Sequence, residues 1–248
     1  MVRIALALLL MPVPAFAVGV SLEYEVLYGP LQVMAMQSTT RLDPARYETS
    51  TQVRTVGIAG MLFPWTAGAT TIGTRDESRL SPTTHRASGE YRGSERSVAI
   101  DYDAGGAVRA VIAPPPEADY REAVPEAERQ ATIDPLTATL AAVQSGCRGT
   151  LRIFDGRRRY DLSLVDQGET DLPAASPLYS GRAQHCQARV TPRTGFWRVT
   201  EQHDERPAQL DVWIAAPKPD VMPVPVYMQL SGARGTLGFR LSAASALP

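Results

Sequence analysis

The stretch FDGRRRYDLSLV, Phe154 to Val165, reads as the tip and return strand of a β-hairpin. Asp-Gly is a preferred pair for a two-residue type I′ turn, whose twist matches that of the strands it joins. Such a turn sets Phe154 opposite Arg157, Ile153 opposite Arg158, Arg152 opposite Arg159 and Leu151 opposite Tyr160. Leu151, Ile153, Arg158, Tyr160, Leu162 and Leu164 then share the core face. Thr150, Arg152, Phe154, Arg157, Arg159, Asp161 and Ser163 face water. A three-residue turn with a glycine bulge would shift this register. Arg152 opposite Arg159 is a like-charge pair, mildly destabilising in a ladder. Either the nearby Asp155 and Asp161 offset it, or the arginines hold an anion such as a phosphate or carboxylate in bidentate fashion.

The same period-two pattern runs outward in both directions. In SLEYEVLY, Leu22, Tyr24, Val26 and Tyr28 share one face and Glu23 and Glu25 the other; LQVMAMQSTTRL and RYETSTQVRTVGI continue it past Gly29-Pro30 and Asp43-Pro44. This is the signature of half-buried antiparallel strands joined by short turns. GIAGMLFPWTAGATTIG is apolar and suits a helical turn or a bent strand equally. Thr74 to Ser97, the most polar part, reads as two modest strands with long connections. SVAIDYDAGGAVRAVIAPPP is a hairpin turning at Asp103 to Gly106. In IDPLTATLAAVQSG, Asp134 suits an N-cap, Pro135 the first helical position and Gly146 the residue past the end, which predicts one α-helix over about 135–145. In PKPDVMPVPVYMQL the prolines Pro217, Pro219, Pro223 and Pro225 suit an edge strand with one side free for a partner. The fold class is mainly β: a curved antiparallel sheet, sandwich or half-open barrel-like single domain over residues 18–248, with that one helix.

MVRIALALLLMPVPAFA, residues 1–17, has the layout of a cleavable secretory leader: Arg3, a short apolar run, then Ala15-Phe16-Ala17. The run is too short for a membrane helix, which needs about 20 residues, and no longer apolar run follows, so no transmembrane segment is expected after cleavage. No cysteine follows the cleavage region, so no lipid anchor is expected. Without Arg3 the chain carries 24 basic and 26 acidic residues. That balance gives no overall field towards nucleic acid or an anionic surface. Cys147 and Cys186 are the only cysteines. In an oxidising compartment they are expected to form a disulfide, closing a loop of roughly 40 residues worth about 4 kcal/mol of chain entropy.

Reaction chemistry is sparse. There is no Gly-x-Ser-x-Gly elbow and no His-Glu-x-x-His. His85, His185 and His203 are scattered, so no metal site, cofactor or catalytic residue is assigned. RTGFWRV interleaves basic and aromatic residues. In an exported, slightly acidic chain, Phe196 and Trp197 fit a sheet corner better than a nucleic-acid platform.

DPLTATLAAV, CRGTLRIFDGRRRYDL, HCQARVTPRTGFW, LDVWIA and VPVYMQL, in that order, resemble the bacterial domain-of-unknown-function 3108 family of exported proteins. The resemblance implies an envelope location and a β-rich fold, and supplies no catalytic residue. The broad architecture is similar to the open half-barrels of periplasmic lipoprotein carriers. The expectation is a periplasmic, non-enzymatic protein binding a lipid or other amphipathic molecule on the concave side of its sheet. Phe63, Trp65, Tyr160 and Trp197 are candidates for the lining, with Arg157, Arg158 and Arg159 near an anionic headgroup. The alternative is a scaffold that docks an envelope protein through an edge strand or the arginine face.

Overall fold

The structure is a computed structural model describing residues 18–76, 79–91, 93–119, 121–174, 176–196, 209–232 and 235–247. The leader lies outside these residues. The chain first forms β1 (Val18–Tyr28), β2 (Leu31–Leu42) and β3 (Arg46–Thr55), then a short helix α1 (Gly57–Leu62). β4 (Thr66–Asp76), β5 (Arg79–Tyr91), β6 (Ser94–Tyr102) and β7 (Val108–Ala113) complete the first meander. Helices α2 (Glu126–Arg129) and α3 (Pro135–Gln144) lead to β8 (Gly149–Phe154), β9 (Arg159–Asp171) and β10 (Arg182–Thr194). β11 (Gln209–Ala215), β12 (Val224–Gly232) and β13 (Gly235–Leu247) end the chain.

All 13 strands join one antiparallel sheet in the order β7-β6-β5-β4-β3-β2-β1-β13-β12-β11-β10-β9-β8. Within β1–β7 and within β8–β13 each strand pairs with its neighbours in sequence, as antiparallel connections favour, whereas β7 and β8, separated by the helices, are the two edges. The exceptional pairing is β1 with β13, which splices the two meanders and sets Glu25 opposite Arg240, 2.8 Å apart as an ion pair. The sheet does not close by hydrogen bonding. Instead it curls until its ends meet through side chains: Phe154, beside the β8 edge, packs with Val98, Ile100, Val108 and Val124. Arg157 donates to the carbonyls of Ala113 and Pro114, at 3.1 and 3.0 Å, at the end of β7. The half-open barrel-like expectation therefore holds.

Helix α3 is wrapped by this sheet. Its sequence, PLTATLAAVQ, has no charged residue; Thr137 and Ala138 are buried, Thr139 is exposed and the rest are half-buried. Asp134 caps its start, accepting from the amides of Leu136 and Thr137. Its end is a Schellman turn, with Cys147 N–H donating to Ala142 O and Gly146 N–H to Val143 O. Cys147 is disulfide-bonded to Cys186 on β10, with Cα atoms 5.4 Å apart. The helix is thus held at one end by a cap and at the other by a covalent tie, and both cysteines sit in a core with Leu164, Ala188 and Ile214.

Four expectations are corrected. The arginine hairpin turns through four residues, because Asp155 Oδ1 accepts from the amides of Arg157 and Arg158, at 2.9 and 2.7 Å, and holds a wider turn. Phe154 then pairs with Arg159, Ile153 with Tyr160 and Arg152 with Asp161, so opposite charges replace the like-charge pair. The shift is an even number of residues, so Leu151, Ile153, Tyr160, Leu162 and Leu164 keep a common face. Phe154, expected in water, is buried because the far end of the sheet packs on it, and Arg159, also expected in water, is buried with its guanidinium paired to Asp161. Thr74 to Ser97 forms long paired strands, with β5 alone spanning 13 residues. Lastly, β12 is an interior strand between β11 and β13, and the edges are β7 and β8. Most of the prolines precede β12. Pro225 falls at a bulge, and its carbonyl accepts from Tyr24 OH at 2.8 Å.

Candidate functional site

A buried polar network surrounds the start of α3. Asp134 has no exposed surface. Its Oδ1 accepts from Thr71 Oγ1 on β4 at 2.7 Å and its Oδ2 from Thr137 Oγ1 at 2.6 Å. Each hydroxyl has one proton, and both are committed to this carboxylate. Tyr47 OH on β3 must therefore donate to Thr137 Oγ1, at 2.7 Å. Likewise His85 Nδ1–H on β5 must donate to Thr71 Oγ1 at 2.8 Å, with Asp134 Oδ1 at 3.2 Å. Burial pushes the Asp134 carboxyl up, but the hydrogen bond and charge of His85 and the hydroxyls of Thr137 and Thr71 outweigh it and hold it below the usual range. Burial also keeps Tyr47 a neutral phenol, with the Asp134 charge adding to the effect.

Two chambers flank α3. The first, about 620 Å³, has Trp65, His85, Leu136 and Tyr160 in its wall, together with Arg96, Arg121, Arg157, Arg158, Glu90 and Asp155. The second, about 340 Å³, lies between α3 and strands β1–β3 and β11–β13. Its wall is built from Val20, Leu22, Met36, Leu136, Leu140, Val143, Met228, Leu230 and Phe239, with few polar groups. The hydroxyl of Tyr24, also in this wall, is spent on Pro225. Both volumes fall in the range of about 300–1,000 Å³ common for ligand sites. Leu136 is shared by the two walls.

Of the residues singled out from sequence, Trp65, Arg157, Arg158 and Tyr160 come together in the first chamber. Burial pushes the Tyr160 phenol up, with Asp155 adding to the effect, so it stays neutral. Arg159 is not there: it is 3% exposed and donates to Asp161, at 2.6 Å, which also accepts from Arg193. Phe63 is not there either. It is 74% exposed at an apolar tip with Ile58, Met61 and Leu62, because α1 has no core to pack on. Trp197 lies outside the described residues, while its neighbour Phe196 packs edge-on against Tyr160 with ring centres 6.4 Å apart. His185 hydrogen-bonds Asp211 at 2.9 Å and stacks on Trp213, a structural role. Among the described residues no three His, Cys, Asp or Glu side chains gather to hold a metal, and no helix is long and apolar enough to cross a membrane.

The His85–Asp134–Thr71 network is absent from the sequence reading. Its members lie far apart along the chain, and only the pairing of Thr71 with His85 across β4 and β5, with α3 laid over them, unites them.

A family model described as "Protein of unknown function (DUF3108)" matches residues 23–241. The chain belongs to the DUF3108 family. The matched stretch of this DUF3108 protein holds the disulfide, the Asp134 network and all of the arginine chamber. No curated protein matches the chain. A solved structure, described as a beta-barrel-like protein of domain of unknown function DUF1849 from Brucella abortus, is similar at a TM-score of 0.51 and 9% identity. The alignment covers 93% of this chain and 98% of that one, and the likeness is one of fold.

Proposed function

We propose that this DUF3108 protein is an exported, periplasmic binding protein rather than an enzyme, and that it holds a lipid or other amphipathic molecule in the lumen around α3. The observation that carries this reading is the apolar chamber between α3 and the sheet wall. Its lining of leucine, valine, methionine and phenylalanine offers a ligand's apolar part a dry surface, and its three methionines, Met36, Met222 and Met228, are adaptable packers. A polar end would reach the arginine chamber past Leu136, where the two walls share a residue. The disulfide and the secretory leader read from sequence support the envelope location.

Native mass spectrometry and solvent extraction of the protein purified from its native envelope test this directly. A co-purifying amphiphile is expected, and Leu140→Trp, which fills the chamber from the helix side, should displace it while the fold persists by circular dichroism. A ligand-free protein that also fails to take up a fluorescent fatty acid would overturn the reading.

A further inference from the structure

The second chamber carries no charge in its wall. None of the residues that line it is Asp, Glu, Lys, Arg or His. An ionised group placed there would lose its hydration and find no partner, so the part of a ligand that fills this space is uncharged. Tyr24 is the titratable side chain of the wall, and burial pushes its phenol up, which keeps it neutral.

The wall is nevertheless not uniformly apolar. Thr40 on β2 and Thr49 on β3 are cross-strand partners, 6% and 4% exposed, with their Oγ1 atoms 3.1 Å apart. Two hydroxyls bring two protons, and their mutual bond uses one. Whichever residue donates, one O–H is left over. Gln144, at the end of α3, adds the opposite need: its Oε1 is buried in the same wall with no hydrogen-bond partner among the described residues. Buried polar atoms without partners are rare, and each calls for one. Tyr24, Thr51 and Thr139 do not supply it, since their protons go to the carbonyls of Pro225, Gln37 and Pro135. The chamber thus holds a surplus donor and a surplus acceptor in an apolar, charge-free setting. A methylene chain serves neither. A ketone or ester oxygen serves only the donor. A hydroxyl both accepts and donates, and it is uncharged.

We infer that the second chamber takes a hydroxylated acyl chain, with the hydroxyl recognised by the Thr40–Thr49 pair and by Gln144. The inference rests on the lumen being an amphiphile site, as proposed above, and specifies the chain rather than the headgroup.

Displacement of a fluorescent fatty acid from the full mature protein measures this preference. The competitors are stearic acid, its mid-chain ketone, and monohydroxystearic acids with the hydroxyl near the head, at mid-chain or near the tail. At least one hydroxylated form should compete about tenfold better than stearic acid, the worth of one good hydrogen bond to a buried partner, with the ketone between them. A wall that was only apolar would give the reverse order, because an unpaired hydroxyl is costly to bury. Gln144→Met, and separately the pair Thr40→Val with Thr49→Val, should cut the preference to about threefold or less and leave the affinity for stearic acid within about twofold. Should the valine pair fail to fold, Gln144→Met and the wild-type order still decide. Stearic acid binding as tightly as every hydroxylated form, the result expected if ordered water occupies these places, overturns the inference and leaves the lumen reading standing. A preference that survives both variants overturns it as well. Uptake of none of the acids sinks the lumen reading, and this inference with it.

Discussion

Asp134 has no exposed surface, yet its carboxyl lies below the ordinary aspartate value of 3.8. Burial works against ionisation; the hydrogen bonds from His85, Thr137 and Thr71 reverse it. A carboxyl whose folded pKa lies below its unfolded one stabilises the fold above the unfolded value, and that contribution drains away as pH falls through the folded pKa. The unfolding free energy should therefore drop as pH falls below 3.8. Asp161 adds an effect of the same sign, because its pairing with Arg159 and Arg193 outweighs a desolvation that pushes it up. Asp134→Asn should destabilise the protein by roughly 1–3 kcal/mol at neutral pH, the cost of a cap and mispaired buried hydroxyls. It should also flatten the acid limb. Urea melts of both proteins between neutral pH and pH 3 check this, and parallel acid limbs would show that the carboxylate is not what holds the network. As a residue, Asp134 was half legible: its place before Pro135 marks a cap, but nothing in the local sequence announces that Thr71 and His85 will share it.

At the scale of elements, α3 was the easiest to read and the hardest to place. Asp134, Pro135 and Gly146 bracket it, and the observed span Pro135–Gln144 sits within the expected range. Its placement inside the curl of the sheet is what a linear sequence does not display: Thr137 and Ala138 are buried as fully as a core strand residue, while Thr139 stays exposed. The hairpin shows the converse. Alternation correctly placed Leu151, Ile153, Tyr160, Leu162 and Leu164 on one face, but the turn type was misread, because Asp155 uses its side chain to hold a wider loop. The tie between Cys147 and Cys186 gives the helix its second anchor. Replacing both cysteines with alanine should lower stability by about 4 kcal/mol, the entropy of a loop this long. Since Asp134 still docks the other end, the loss should be uneven. Hydrogen exchange should quicken most at the last turn of α3 and at β10, and least at the capped first turn. Uniform acceleration along the helix would mean that the cap and the disulfide do not act as separate anchors.

For the molecule as a whole, strand polarity makes a large antiparallel sheet predictable but leaves strand order open. Pairing β1 with β13 joins residues near opposite ends of the sequence, and the prolines before β12 mimic an edge that the finished sheet places in its interior. What closes the barrel-like shape is a seam between two true edges, and here one glycine carries much of the fit. Gly156, at the hairpin turn, has φ +92°, and a Cβ there would collide with both methyl groups of Val98 on β6. Gly168 has a comparable φ of +78° with open space around it. Gly168→Ala should therefore show the backbone cost alone, about 1–2 kcal/mol. Gly156→Ala adds the overpacking of a closed contact, for roughly 2–5 kcal/mol in total. Val98→Ala makes room for the new methyl, so the double variant with Gly156→Ala should be less destabilised than the sum of the single changes. Denaturant melts of the four proteins measure that coupling. Exchange at the amides of Ile133 and Phe154, which bond across the β8 edge, reports whether the seam itself has opened. If Gly156→Ala and Gly168→Ala cost the same, the turn does not press on β6, and the two ends of the sheet are held together by the arginine and phenylalanine contacts alone.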